Sequence, residues 1–138
     1  MLPTFNNTND LDKYIKKCMA VALKNTATTL KDKLIEFIDA DFYLLYKPKI
    51  YQRTDQFKNS PEIDMVSDLI ADIFVNTKSM DYKDATGDYV AQLATKGYHG
   101  STAIFREGYF WQDFIEYAEK NTLQIYKSEL QKQGLDVT

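Results

Sequence analysis

Apolar residues recur at three- and four-residue spacing at both ends of this chain and change period in between. Near the start, Leu11, Tyr14, Ile15, Cys18 and Ala22 follow the helical spacing, and Ala27, Leu30, Leu34, Ile35 and Ile38 continue it. That periodicity predicts one long helix over about residues 10–40. The stretch Thr8-Asn9-Asp10 offers good N-caps and an acid where the helix dipole favours one. "NTATT" at 25–29 has weak helix propensity and is expected to loosen the middle. Pro48 forbids continuation, because the residue before a proline is pushed out of the helical region.

Beyond Pro61 the period shortens. Met65, Leu69, Ala71, Ile73 and Val75 alternate with Asp68, Asp72 and Asn76, which predicts a half-buried strand over "DMVSDLIADIFVN". A polar, turn-rich run follows. "DYVAQLATKG" then puts Tyr89, Val90, Leu93 and Ala94 at helical spacing, with Gly97 suited to the position just past a helix end. This is read as a short helix, with a strand as the alternative; "YHGSTAIF" is a glycine-containing loop that runs into a short strand. In the last quarter, Trp111, Phe114, Ile115, Ala118, Thr122, Ile125, Tyr126 and Leu130 form one stripe, and Gly134-Leu135 stops that helix. The expected fold class is α+β: long N- and C-terminal helices packed on a small antiparallel sheet, with a short middle helix. Residues 1–138 are read as one domain, with an arm at 1–9 and an ordered connector at 47–62.

That connector, "KPKIYQRTDQFKNSPEI", holds two of the three prolines and turns the chain from helix to sheet. Pro48 and Pro61 fix its ends at low entropic cost. Tyr51, Arg53 and Phe57 become contact residues, either to the domain's own core or to a neighbouring molecule, since Arg and Tyr are favoured interface anchors.

Composition changes this picture little. At 138 residues, with 44% hydrophobic and 27% charged, the chain is long enough to bury a real core. Ten Tyr and eight Phe are a surplus that suits burial against partners as well as core filling. One cysteine, Cys18, excludes an intrachain disulfide and a thiolate metal cluster. The opening "MLPTFNNTND" has neither a basic region nor an apolar run, so no signal peptide is expected, and no stretch is apolar enough to span a membrane. Charge is uneven: residues 1–60 carry +3 and residues 61–138 carry −6, within a total of −3. One half could therefore attract the other half of a neighbouring copy, unless both signs simply mix on one solvated surface.

Candidate chemistry is sparse. The lone histidine, His99 in "GYHG", lacks any H-x-x-H or cysteine companion and reads first as a turn or packing residue. Asp64, Asp68 and Asp72 share a face of the expected strand; with His99 they sketch a metal-dependent hydrolase, or simply the solvated side of a sheet. Phosphate-loop, dinucleotide and nucleophile-elbow motifs are absent, and no cofactor is expected. Lys13, Lys17, Lys24 and Lys31 form a basic ridge on the first helix, a solvent face or a surface turned to DNA phosphates.

The order of features resembles the gene-product-ten-like neck or tail-completion proteins of long-tailed bacteriophages. The likeness rests on a long first helix, the turn "YQRTDQFKNSPEI", a strand, the aromatic and glycine-bearing "DYVAQLATKGYHG", and a Trp-containing last helix. In the turn landmark of that family, Thr54, Phe57, Ser60 and Ile63 occupy the marked positions; Asp55 stands where the family usually has glycine, and "GYHGST" replaces the usual Gly-Thr. The resemblance implies a structural virion protein without catalytic activity, assembled in the bacterial host cytoplasm into a ring of six copies at the head–tail junction. Its partners would be itself and other neck, connector and tail proteins, with DNA met only by passage through a channel and no membrane. It places Tyr51, Arg53, Thr54, Phe57, Tyr98 and His99 among the interface candidates and gives the lysine ridge a channel-facing role. The alternatives are a small acidic regulatory or immunity-type binding module, and the hydrolase built on Asp68, Asp72 and His99.

Overall fold

A computed structural model of the chain describes residues 3–40, 55–82, 86–95 and 109–138. The first helix, α1, runs unbroken from Thr8 to Ile38, about 46 Å at the usual rise per residue. Its cap is Asn7, one residue before the expected window: the Asn7 Oδ1 accepts from the Asp10 N–H at 2.9 Å. The "NTATT" stretch does not loosen it. Thr26, Thr28 and Thr29 fold their hydroxyls back onto the carbonyls of Ala22, Lys24 and Asn25 at 2.8, 2.9 and 3.1 Å. Thr26 and Ala27 are also buried, so tertiary burial overrides weak local propensity.

The last helix, α3, spans Phe110–Lys132 and lies antiparallel to α1. Phe37 meets Tyr117 edge-on at 6.1 Å, while Asn25 donates to Glu129 at 3.2 Å, so position rises along one helix as it falls along the other. Lys33 sits over both rings of that pair, 5.6 and 5.0 Å from their centroids, and its ammonium is tied to Glu36 at 2.8 Å. The helix stops as expected. Gly134 adopts φ 90°, its N–H reaches the Gln131 carbonyl at 3.0 Å and the Leu135 N–H reaches that of Leu130 at 3.2 Å, the paired bonds of a Schellman motif. The buried stripe is shifted by one residue at its start. Phe110 is buried, whereas Trp111 and Ile115 are each 40% exposed.

The expected single strand is two. β1 (Pro61–Ser67) and β2 (Ile70–Val75) form an antiparallel hairpin turned at Asp68-Leu69. With Ser67 as the gap, the row Met65, Leu69, Ala71, Ile73 and Val75 stays apolar on both sides of this turn, which contains no glycine, so that row alone conceals it. The Ser67 Oγ accepts from the Leu69 N–H at 3.2 Å and closes the corner. The register slips between Met65 and Ser67, leaving Val66 as an extra residue. The half-buried row Ile63, Met65, Ala71, Ile73 and Val75 faces inward, and the hairpin packs on α1.

The described part of the connector belongs to the core. Asp55 adopts φ 57°, the left-handed conformation that glycine takes freely and Asp tolerates. A tight turn follows, with the Asn59 N–H on the Asp55 carbonyl at 3.0 Å. It drives Phe57 inward until only 1% is exposed, edge-on to Phe110 at 5.4 Å. Phe57 is therefore a core residue rather than a contact to a neighbour. Ser60 is fully buried. Its hydroxyl donates to the Phe57 carbonyl at 2.6 Å, and its own carbonyl takes the Asn76 N–H at 2.9 Å. Phe57 joins Leu30, Leu34, Ile38, Met80, Phe110 and Phe114 in one cluster. Gln56 pairs with the backbone of Asp81 on both sides, donating to its carbonyl at 2.8 Å and accepting from its N–H.

The middle helix, α2 (Gly87–Thr95), follows a single 3-10 turn at Thr77–Ser79. A side chain at Gly87 would place its Cβ 1.8 Å from the Thr77 carbonyl oxygen, so only glycine permits this approach.

Candidate interaction surfaces

Three exposed surfaces stand out among the described residues. The first is the lysine ridge. Lys13, Lys17 and Lys24 are exposed and Lys31 is half-buried, and the spacings of four and seven residues put them along one side of α1. Val21, itself partly exposed, lies one turn from both Lys17 and Lys24. None of the four lysines has an acidic partner within the described residues; the neighbouring Lys16 does, pairing with Asp12 at 2.9 Å. That hydrogen bond holds the Lys16 ammonium above its ordinary pKa. Asp68 in the hairpin turn adds a smaller pull, which places the turn alongside α1 near Lys16.

The second surface is the outer row of the hairpin. Asp64 and Asp72 face each other directly across the strands, and Glu62 is opposite Phe74. Like charges in direct register are unfavourable within a sheet, and neither aspartate has a cationic partner among the described residues. At the tip, Val66, Leu69 and Ile70 are 55%, 61% and 54% exposed. Five residues therefore hold three large apolar side chains in water.

The third is an open hollow of about 840 Å³ between the hairpin base, α2 and the start of α3, lined by Phe57, Ile73, Phe74, Val75, Phe110 and Trp111, with Asp88 and Gln92 at α2. Trp111, expected in the core stripe, lies here.

The sequence-predicted residues scatter over this frame. Tyr51, Arg53, Thr54, Tyr98 and His99 lie outside the described residues. Asp64 and Asp72 do come together, but through pairing rather than along one strand, and Asp68 sits in the turn. No three described His, Cys, Asp or Glu side chains group as a metal site. Cys18 is buried on α1, as its place in the apolar stripe predicts. The exposed tip is hidden in the sequence because "VSDLI" looks like the middle of a strand; its Ser-Asp pair is the one turn signal there. No described helix is long and apolar enough to cross a membrane.

A chain built this way is a small α+β protein whose distinctive surfaces are faces and edges, and its relationships are phage-derived. It belongs to the YomN family, whose model matches residues 7–132, from the Asn7 cap to the last residue of α3. No curated protein and no solved structure matches it.

Proposed function

We propose that this protein is a structural virion component of the phage head–tail connection, a neck or tail-completion protein that works by ring assembly and docking. The observation that carries the reading is the hairpin tip. Val66, Leu69 and Ile70, adjacent and each more than half exposed, are apolar surface of the kind that marks an association site. Phage-derived family membership supports the setting. The turn landmark adds support: Asp55, standing where neck proteins usually have glycine, holds the left-handed conformation a glycine would take.

In this reading six copies close a ring at the head–tail junction in the virion, after synthesis and assembly in the host cytoplasm. The copies contact one another and the adjoining neck and tail proteins, and DNA only passes through. The mechanism is geometric, with a rigid helical pair holding the hairpin and loops at fixed positions for identical neighbours. Light scattering behind size exclusion over a range of concentrations tests it. A closed oligomer of fixed number is the expected result; a strict monomer at every concentration argues for the single-partner binding module instead.

A further inference from the structure

We infer that the outer face of the hairpin in one copy seats on the lysine ridge of α1 in the next copy, making a head-to-tail contact. This rests on the ring reading and names the two surfaces that would build it.

The two faces are complementary in sign. The hairpin face presents Asp64 and Asp72 side by side, with Glu62 and Phe74 on one flank and Val66 and Ile70 on the other. The ridge presents Lys13, Lys17, Lys24 and Lys31, with Val21 between the middle two. On β1 the outer row from Glu62 to Val66 covers about 13 Å at strand rise, within the roughly 27 Å that Lys13 to Lys31 covers at helical rise. Each face also mixes charge with apolar surface, so contact would desolvate aliphatic groups as well as pair ions.

One copy cannot satisfy both faces by itself. The hairpin turns its inner row toward the core and packs on α1, so its outer row points away from the helix that carries the lysines. The aspartates therefore repel each other across the sheet and the lysines stand unpaired within the described residues. A second copy relieves both at once. Because the contact joins two different surfaces, it propagates, and it closes into a ring when the rotation per copy permits. DNA is the competing occupant of the ridge, and it leaves the acidic hairpin face unexplained.

Charge reversal tests the assignment with the full chain. Three variants are made: Asp64→Lys with Asp72→Lys, Lys17→Glu with Lys24→Glu, and all four substitutions together. These positions are exposed, so thermal melts should stay near the wild type. Solution mass against concentration is then measured at low and physiological salt. The expected result is that each pair alone raises the concentration needed for assembly by at least about tenfold, while the four-fold variant restores it. High salt should weaken wild-type assembly. Wild-type assembly with all variants unchanged overturns this pairing and leaves the ring standing. A wild type that stays monomeric throughout overturns both. Loss of duplex-DNA binding in the Lys17→Glu and Lys24→Glu variant, with assembly intact, assigns the ridge to DNA and overturns the pairing.

Discussion

The two ends of the hairpin use similar residues for opposite purposes. At its base, Pro61 and Val75 close the sheet, Ser60 is sealed beneath them, and the Asn76 N–H completes the buried backbone. At its tip, Val66, Leu69 and Ile70 are as apolar as anything at the base, yet more than half of each faces water. The base is anchored by a turn that plants Phe57 against Phe110. Among the described residues, the tip is held by the Ser67 bond, beside a register slip, and by the passing helix. Hydrophobicity alone does not separate core from contact surface. What separates them here is whether the local chain geometry turns the residue toward the helical pair.

That contrast can be broken most severely at the base. Phe57→Ala should cost about 3–5 kcal/mol of folding stability, because the surrounding core can only partly collapse; denaturant melts would show it, and a loss under 1 kcal/mol would mean the base is not the anchor. Asp55→Val should cost about 1–2 kcal/mol from the left-handed backbone, while Asp55→Gly should match or exceed the wild type. At the tip, Leu69→Ser with Ile70→Ser should change folding stability by less than about 0.5 kcal/mol and still weaken assembly. A large fall in melting temperature there would move the tip into the core and erase the contrast.

The smallest effect concerns α3. Lys132 donates to Glu129 at 2.9 Å, and Asn25 adds a second bond from α1. The Lys132 bond, helped by that of Asn25, pulls the Glu129 carboxyl below its ordinary pKa. A lowered carboxyl pKa in the fold adds stability above the unfolded value and loses it as pH falls through the folded value. Acid melts of Glu129→Gln should therefore lose slightly less stability than the wild type below the usual carboxylate range. Identical acid profiles would remove the Glu129 tie from the account.

The helices were legible in the sequence because burial on one side imposes a period that no turn interrupts. The long first helix and the short middle helix follow from spacing, and the Gly134-Leu135 stop from its residues; Gly97, read as the stop of the middle helix, lies outside the described residues. The hairpin was not legible as two strands, since the apolar row Met65, Leu69, Ala71, Ile73 and Val75 continues across the corner and Ser67-Asp68 is its one turn signal. Trp111 exchanged places with Phe110 because a stripe read at three- and four-residue steps fits either neighbour until the partner helix is known. Gly87 gave no signal, as its role is a through-space approach to the Thr77 carbonyl. The charge imbalance between halves was visible, but which acids meet was not; the facing of Asp64 and Asp72 comes from register.

The central claim is that the exposed hairpin serves assembly. The solution mass of the wild-type chain, measured by light scattering across concentration at low and physiological salt, tests it most directly. A single closed oligomer of defined number, weakened by salt, is the predicted result. A monomer that persists at the highest concentration and lowest salt would contradict it.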